Sequence, residues 1–571
     1  MRTIGVRSNA NELDQTIGAI ASPGSDDGGN GLMAQVIPES ADYVIIGGGS
    51  AGCVLANRLS ADPRNQVVML EAGGRNTGLL NVMPAGMATL MRGPNASNWA
   101  FESEPVEALG GRRMFVPRGK GWGGSSSING MLYVRGNAAD FNQWAQMGMR
   151  GWGYDDVLPY FRKSEDGPDG ENAYHGSGGP LHVRFGKSRE PIYPAFIAAG
   201  VEAGYPETSD FNGAVQDGVG RYQVNIEGGK RAGARRAFLE PALSRPNLVA
   251  GTNVHVTAIV VEQGRVVAID YAQGKDRVKR RIAVKGEVVL CAGTLQSPQI
   301  LGLSGIGDPE RLSALGIPLV AALPGVGRNL QDHVDIAVTY TSRLPLLWSR
   351  TKGFRAGLIG LRYLLRRDGL GAENSLESGG FVRSRPELDR PDLQIQFIPG
   401  AMFNHGQKGM RPFDGFSIDM IALHPESRGE VTLRSADPFD APAIHPNHLA
   451  TPGDMATLRA AVRIARHIGA QPALAPWRID EVDPGPGVTE DAMVDAWTRD
   501  HAATIFHPVG TCRMGAADDP GAVVDAALRV RGVDGLRVAD ASIMPTIVSG
   551  NTNAATMMIA EKAADLILHG R

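Results

Sequence analysis

Tyr43-Val44-Ile45-Ile46 is an unbroken β-favouring run that ends at Gly47-Gly48-Gly49-Ser50-Ala51-Gly52 and gives way to the helix-like Cys53-Val54-Leu55-Ala56-Asn57-Arg58-Leu59. The pattern predicts a strand, a glycine turn and a helix. A second apolar run, Val67-Val68-Met69-Leu70, stops at Glu71; later ones are Val288-Val289-Leu290-Cys291-Ala292-Gly293 and Leu536-Arg537-Val538-Ala539-Asp540. Between these, polar and apolar positions alternate in Leu393-Gln394-Ile395-Gln396-Phe397-Ile398 and Phe416-Ser417-Ile418-Asp419-Met420-Ile421. Alternation of that kind predicts an antiparallel sheet with one face covered.

The opening unit has the chemistry of a dinucleotide cradle. Gly47 permits the tight turn, Gly49 lets backbone approach a pyrophosphate, and Gly52 allows helix to pack on strand, while Ser50 and Ala51 begin a helix whose N–H groups face the phosphates. Glu71, twenty-four positions beyond Gly47 and followed by Ala72, suits a ribose and would repel a 2′-phosphate. Nucleotide-type signals at both ends of the chain must meet in space. The expected fold class is therefore α/β, α+β overall, with a Rossmann-like nucleotide domain (41–160, 226–335 and 500–571) interleaved with a substrate domain on an antiparallel sheet with helices (161–225 and 336–499). Residues 1–40 are expected to form a flexible leader.

With 571 residues, 43% hydrophobic and 20% charged, the composition is that of a globular protein. A net charge of −3 supplies no overall basic field, so nucleic acid is excluded as a partner and a small molecule is expected. Cys53, Cys291 and Cys512 lack ligand spacing, which argues against disulfides and structural zinc; a reducing compartment, hence the cytoplasm, fits. Ala356 to Leu365 is the greasiest stretch outside the leader, but Arg362 interrupts it and it is too short to span a bilayer. Peripheral membrane association stays open, and the sequence sets no oligomeric state.

Two further segments carry chemistry. Arg118-Gly119-Lys120-Gly121-Trp122-Gly123-Gly124-Ser125-Ser126-Ser127-Ile128-Asn129-Gly130 offers bare backbone and N–H donors to a flat ligand, and Gly293-Thr294-Leu295-Gln296-Ser297-Pro298 continues to a second turn at Ser304-Gly305-Ile306-Gly307. With the opening unit and the tail segments around His507 to Gly515, Val538 to Pro545 and Ser549 to Asn553, they resemble the glucose-methanol-choline (GMC) oxidoreductases over about residues 41–569. The resemblance is strongest to bacterial alcohol and choline dehydrogenases.

The resemblance implies FAD. Its adenosine end would lie at Gly47, Gly49, Gly52, Glu71 and Val256, its pyrophosphate and ribityl side near Asp540 and Ala541, and its ring under Gly123, Gly124, Ser125 and Asn129. Arg118, Gly130, Met131, Ala292, Gly293 and Asn553 would be further cofactor contacts. The helix after Asn553, burying Met557, Met558, Ile559, Ala563, Leu566 and Ile567, would aim its N-terminus at the ring. Some relatives carry a flavin-bonding histidine in the glycine loop; Ile128 stands there, which implies noncovalent FAD. His507 would be the base that takes an alcohol's proton, an imidazole being the side chain poised for that near neutral pH, and Asn551, where many relatives have a second histidine, would donate to the developing alkoxide. Glu377 and Phe506 are the candidate substrate contacts.

The implied reaction converts an alcohol to an aldehyde or ketone and passes electrons to a quinone or another non-oxygen carrier. The alternatives are an oxidase using O2 and making H2O2, and a non-redox lyase or photodecarboxylase of the same fold. Photodecarboxylases lack the pair that His507 and Asn551 provide. No metal site is expected, since His445 and His448 flank Pro446 without an acid. Lys230-Arg231 and Arg235-Arg236 read as a solvated face.

Overall fold

The structure, a computed structural model, describes residues 36–401 and 413–570. Most of the expected leader, residues 1–35, lies outside them.

The run that opens the folded part is the strand Ser40–Ile46, with Val44, Ile45 and Ile46 buried. It sits mid-sheet, parallel to Val67–Leu70 on one side and to the strand Val278–Leu290 on the other. Leu248–Gly251 adds in parallel outside Val67–Leu70, and Leu536–Val538 adds in parallel to the end of Val278–Leu290. Strands covered on both faces need apolar side chains in both directions, which is why these segments run apolar without alternating. Val254–Glu262, Arg265–Gln273 and Val278–Leu290 form an antiparallel meander that extends the sheet.

The chain leaves Ser40–Ile46 towards one neighbour and returns later on the other side. That reversal opens a crevice at the carboxyl ends of the strands, where Gly47 and Ala292 lie. The helix Ser50–Leu59 packs against the last helix, Thr552–Leu568, and the pairing is fixed by Arg58 to the fully buried Glu561 at 2.6 Å.

A second sheet is antiparallel throughout: Arg478–Asp483, Val334–Ser342, Gly415–Ala422, Leu393–Ile398, Ser378–Val382 and Gly218–Arg221, with Ala503–Thr504 beside Val334–Ser342. The helix Pro452–Gly469 covers one face, where Ile395, Phe397, Phe416, Ile418 and Met420 meet Leu458, Ala461 and Val462. The alternating strands are nevertheless buried at every position, so the expectation of one covered face is corrected. Their polar members do not face solvent: Gln396 and Asp419 line the central cavity, and the buried Gln394 donates to Asn551, which also lines it. Alternation here separates a dry core from a polar site.

The sheets divide the chain differently from the expected boundaries at 160, 225 and 499. Phe161, Leu181 and Val183 belong to the core of the parallel sheet, whereas Tyr193 and Phe196 pack into that of the antiparallel sheet. Ala503–Thr504 also pairs in the second sheet. Turns between 161 and 225 cross from one core to the other, which a contiguous reading cannot express.

Candidate active site

A cavity of about 3010 Å³ runs between the two sheets. At one end is the glycine turn. A Cβ on Gly52 would lie 1.9 Å from the Gly47 carbonyl oxygen, so helix and strand approach this closely only with glycine there; Gly47 itself has φ +100°. At Gly49 the nearest atom to an added Cβ is 4.0 Å away, so its open side faces the cavity. No side chain caps the helix that starts at Ser50, whose N–H groups remain for an anion. Glu71 accepts from the N–H groups of Gly48 (2.7 Å), Gly73 (2.7 Å) and Gly121 (2.9 Å), tying three loops together at the cavity wall.

Gly123 donates to the Gly48 carbonyl at 2.7 Å and thereby lays the second glycine loop across the first turn. From this loop Arg118, Gly124, Ser125, Asn129, Gly130 and Met131 line the cavity, as do Ser50, Ala51, Ala72, Val256, Ala292, Gly293, Asp540, Ala541 and Asn553. Gly52 and Gly123 lie behind the wall and shape it. The Asp540 carboxylate is immobilised by Gly293 N–H (2.8 Å), Ser297 Oγ (2.6 Å) and Ser542 N–H (2.8 Å). Ser50 Oγ donates to Asn553 Oδ1 at 2.8 Å, so the first and last helices both begin at the cavity. The last helix starts at Thr552, two residues earlier than expected, and it too has no side-chain cap. Bare glycine backbone and two uncapped helix N-termini along one elongated cavity fit a dinucleotide carrying a flat ring.

At the other end Asn551 Nδ2 lies 3.1 Å from His507 Nε2. The surrounding bonds give this pair a direction. Gln394 Nε2 donates to Asn551 Oδ1 at 3.1 Å, which makes Nδ2 the side facing His507. His333 Nε2 is 3.2 Å from the Leu423 carbonyl, an acceptor, so it carries the hydrogen; His333 Nδ1 then accepts from His507 Nδ1 at 3.0 Å. His507 is left with its Nε2 lone pair turned to Asn551. Burial, and then the nearby Arg118 charge, lower the His507 pKa to about 3, and burial holds His333 well below the usual range, so both rings are neutral.

The backbone sets where His507 sits. Its N–H donates to Asp332 Oδ1 at 2.7 Å, while Asp332 Oδ2 accepts from Thr504 Oγ1, which itself receives Phe506 N–H at 2.9 Å. Burial raises the Asp332 pKa to about 6. Phe506 is held at φ +68°, with its carbonyl accepting from Arg118 at 2.9 Å.

Two sequence readings are placed differently. Glu377, a candidate substrate contact, is absent from the cavity lining; its carboxylate accepts from Ser188 N–H and pairs with Arg221 at 3.1 Å, and burial raises its pKa to about 7. Phe506 does line the cavity. The expected solvated basic face is corrected too: Arg231 and Arg235 are buried, and Arg231 Nη1 donates to Asn129 Oδ1 at 2.8 Å beneath the glycine loop. Residues the sequence reading passed over are Asp332, His333, Gln394, Gln396, Asp335 and Asp419. Asp419 lines the cavity wall, and burial, then Asp335, push its carboxyl well above the usual range. Asp332-His333 sits 174 positions from its partner His507, so no local spacing marks it.

Two family models described as GMC oxidoreductase match the chain, one over residues 41–335 and one over 425–560. Choline dehydrogenase, mitochondrial, of Mus musculus is 44% identical over 543 residues, covering 94% of this chain and 90% of the relative. Alcohol dehydrogenase [acceptor] of Pseudomonas putida is 45% identical over 531 residues, covering 92% and 95%. Among solved structures, pyridoxine 4-oxidase from Mesorbium loti superposes with a TM-score of 0.85 at 33% identity, covering 93% of this chain and 99% of that one.

Proposed function

The chain belongs to the GMC oxidoreductases, FAD-dependent enzymes acting on CH–OH groups, and on that premise we propose that it oxidises an alcohol with His507 as the base. The observation that carries the reading is the directed chain Gln394–Asn551–His507–His333, which leaves one lone pair and one amide N–H side by side on the cavity wall. A substrate hydroxyl entering between them donates its hydrogen to His507 Nε2 and accepts from Asn551 Nδ2. As the proton moves to Nε2, negative charge grows on the alcohol oxygen and the Asn551 N–H stabilises it, an oriented donor being worth about 3 kcal/mol. When bound, FAD supplies the two-electron acceptor for the hydride of the carbinol carbon at its N5. Gly47, Gly49, Glu71 and Asp540 would hold the cofactor's length, and Gly124, Ser125 and Asn129 its ring, noncovalently.

The acceptor that reoxidises the enzyme is proposed to be a carrier other than O2, the reading favoured by the relative named alcohol dehydrogenase [acceptor], whereas relatives named oxygen-dependent choline dehydrogenase favour O2. The decisive experiment is anaerobic mixing. An alcohol panel should bleach the flavin in the dark, and His507→Ala should keep FAD yet slow the bleaching by about 10² to 10⁴. Unchanged bleaching in that variant would remove His507 from the mechanism, and persistent colour with every alcohol would remove the reaction. Under turnover, a dye acceptor should sustain a rate that O2 does not, with little H2O2 formed.

A cationic alcohol is favoured as substrate by two acidic side chains at the site, Asp419 on the cavity wall and Asp335 hydrogen-bonded to it. Relatives named for choline agree with that charge. Choline should exceed its neutral isostere 3,3-dimethylbutan-1-ol in kcat/KM by about tenfold or more, and Asp419→Asn should narrow the gap. Equal kcat/KM values would sink this assignment.

A further inference from the structure

We propose that the helix Phe354–Arg366 is a docking surface for a lipid bilayer carrying anionic headgroups, seated at the mouth of the active-site cavity. Phe354, Leu358, Leu361 and Leu365 recur at i, i+4, i+7 and i+11, one stripe of a helix, and the stripe is open to solvent: Phe354, at the cavity edge, is 76% and Leu365 74% exposed. Tyr363, on the opposite side, is fully buried. A monomer's surface seldom sets four large apolar side chains in one open row.

Charge selects the partner. Arg355, Arg362 and Arg366 each follow a stripe residue by one position, so they form a second row along its flank, and Lys352 precedes the helix. Arg362 pairs with Asp368 at 2.6 Å, while among the described residues Lys352, Arg355 and Arg366 have no carboxylate in ion-pair contact. The chain's net charge of −3 hides this local basic edge. An apolar row flanked by arginines is the arrangement that lies in a membrane interface, its stripe among the acyl chains and its cations at the headgroups. No described helix is long and apolar enough to cross a membrane, so the contact would be monotopic.

The inner side of the same helix continues the site. Ala356, Gly357, Ile359 and Gly360 line the cavity, and Phe354 and Arg355 reach its edge from the start of the helix. A docked helix would thus place the cavity mouth against the lipid, and an apolar acceptor or alcohol dissolved in the bilayer would enter without crossing water.

The test is flotation of the FAD-loaded protein with vesicles of phosphatidylcholine alone or with about one third phosphatidylglycerol. The protein should float with the anionic vesicles, less so in high salt. Leu358→Gln/Leu361→Gln/Leu365→Gln should lose at least about tenfold in apparent affinity. Arg362→Gln/Arg366→Gln should lose several-fold, on anionic vesicles alone. None of these five side chains lines the cavity, so dye-linked turnover of a water-soluble alcohol should stay unchanged and show that the variants fold. Failure of the wild type to float on any composition, or equal flotation of the leucine variant, would overturn the proposal. So would a dimer in lipid-free buffer that the leucine variant abolishes without any vesicle binding, because the stripe would then belong to a second copy. Flotation does not depend on turnover, so it succeeds or fails apart from the proposed reaction.

Discussion

His507 is buried beside the Arg118 charge, and that fixes what pH does to it. Its pKa is lowered to about 3, so the neutral, proton-accepting form persists far below the ordinary histidine range. The acid limb of kcat/KM should therefore fall towards pH 3, not near 6.5, measured wherever the flavin remains bound; a limb at 6.5 would contradict the buried, neutral ring. In the proposed mechanism His333 is a positioning residue. His333→Phe removes the acceptor of His507 Nδ1–H and releases the tautomer, so kcat should drop by about tenfold or more with KM little changed. His333→Asn, which restores an acceptor oxygen, should recover part of the rate. His507 and Asn551 were legible in the sequence because the tail resembles a known catalytic end. His333 was not, since its role arises only when two segments far apart in the chain bring two imidazoles to 3.0 Å.

Among the elements, the strand–turn–helix was the most legible because each glycine answers a local steric demand. Gly52 and Gly49 separate two such demands. Gly52→Ala drives a Cβ into the Gly47 carbonyl and should cost about 3 kcal/mol or more of stability together with FAD binding. Gly49→Ala meets only open space within the protein, so the apoprotein's melting temperature should hold while FAD affinity falls. Equal thermal losses in the two variants would refute the division. The alternating strands misled for a physical reason: a polar residue that faces a ligand cavity and one that faces water leave the same period-two pattern. Gln394 and Gln396 could not be told from surface glutamines until the fold set Asn551 against the one and the cavity beside the other.

At the scale of the molecule, two cores share one cavity and the chain passes repeatedly between them. The pairing of a parallel with an antiparallel sheet was legible from runs and alternation. The assignment of 161–225 was not, because Phe161 and Phe196 enter different cores though they are close in sequence. Overall charge misled in the same way, since an average of −3 coexists with an arginine row on Phe354–Arg366. The parallel sheet, opened by Ser40–Ile46, is completed only by Leu536–Val538, and the cavity only by Asn551 and the helix that follows it. During synthesis on a ribosome, then, almost the whole chain must emerge before the pocket exists. A nascent polypeptide cannot load its flavin early, and the cofactor meets a chain whose first half has waited, unclosed, for its end.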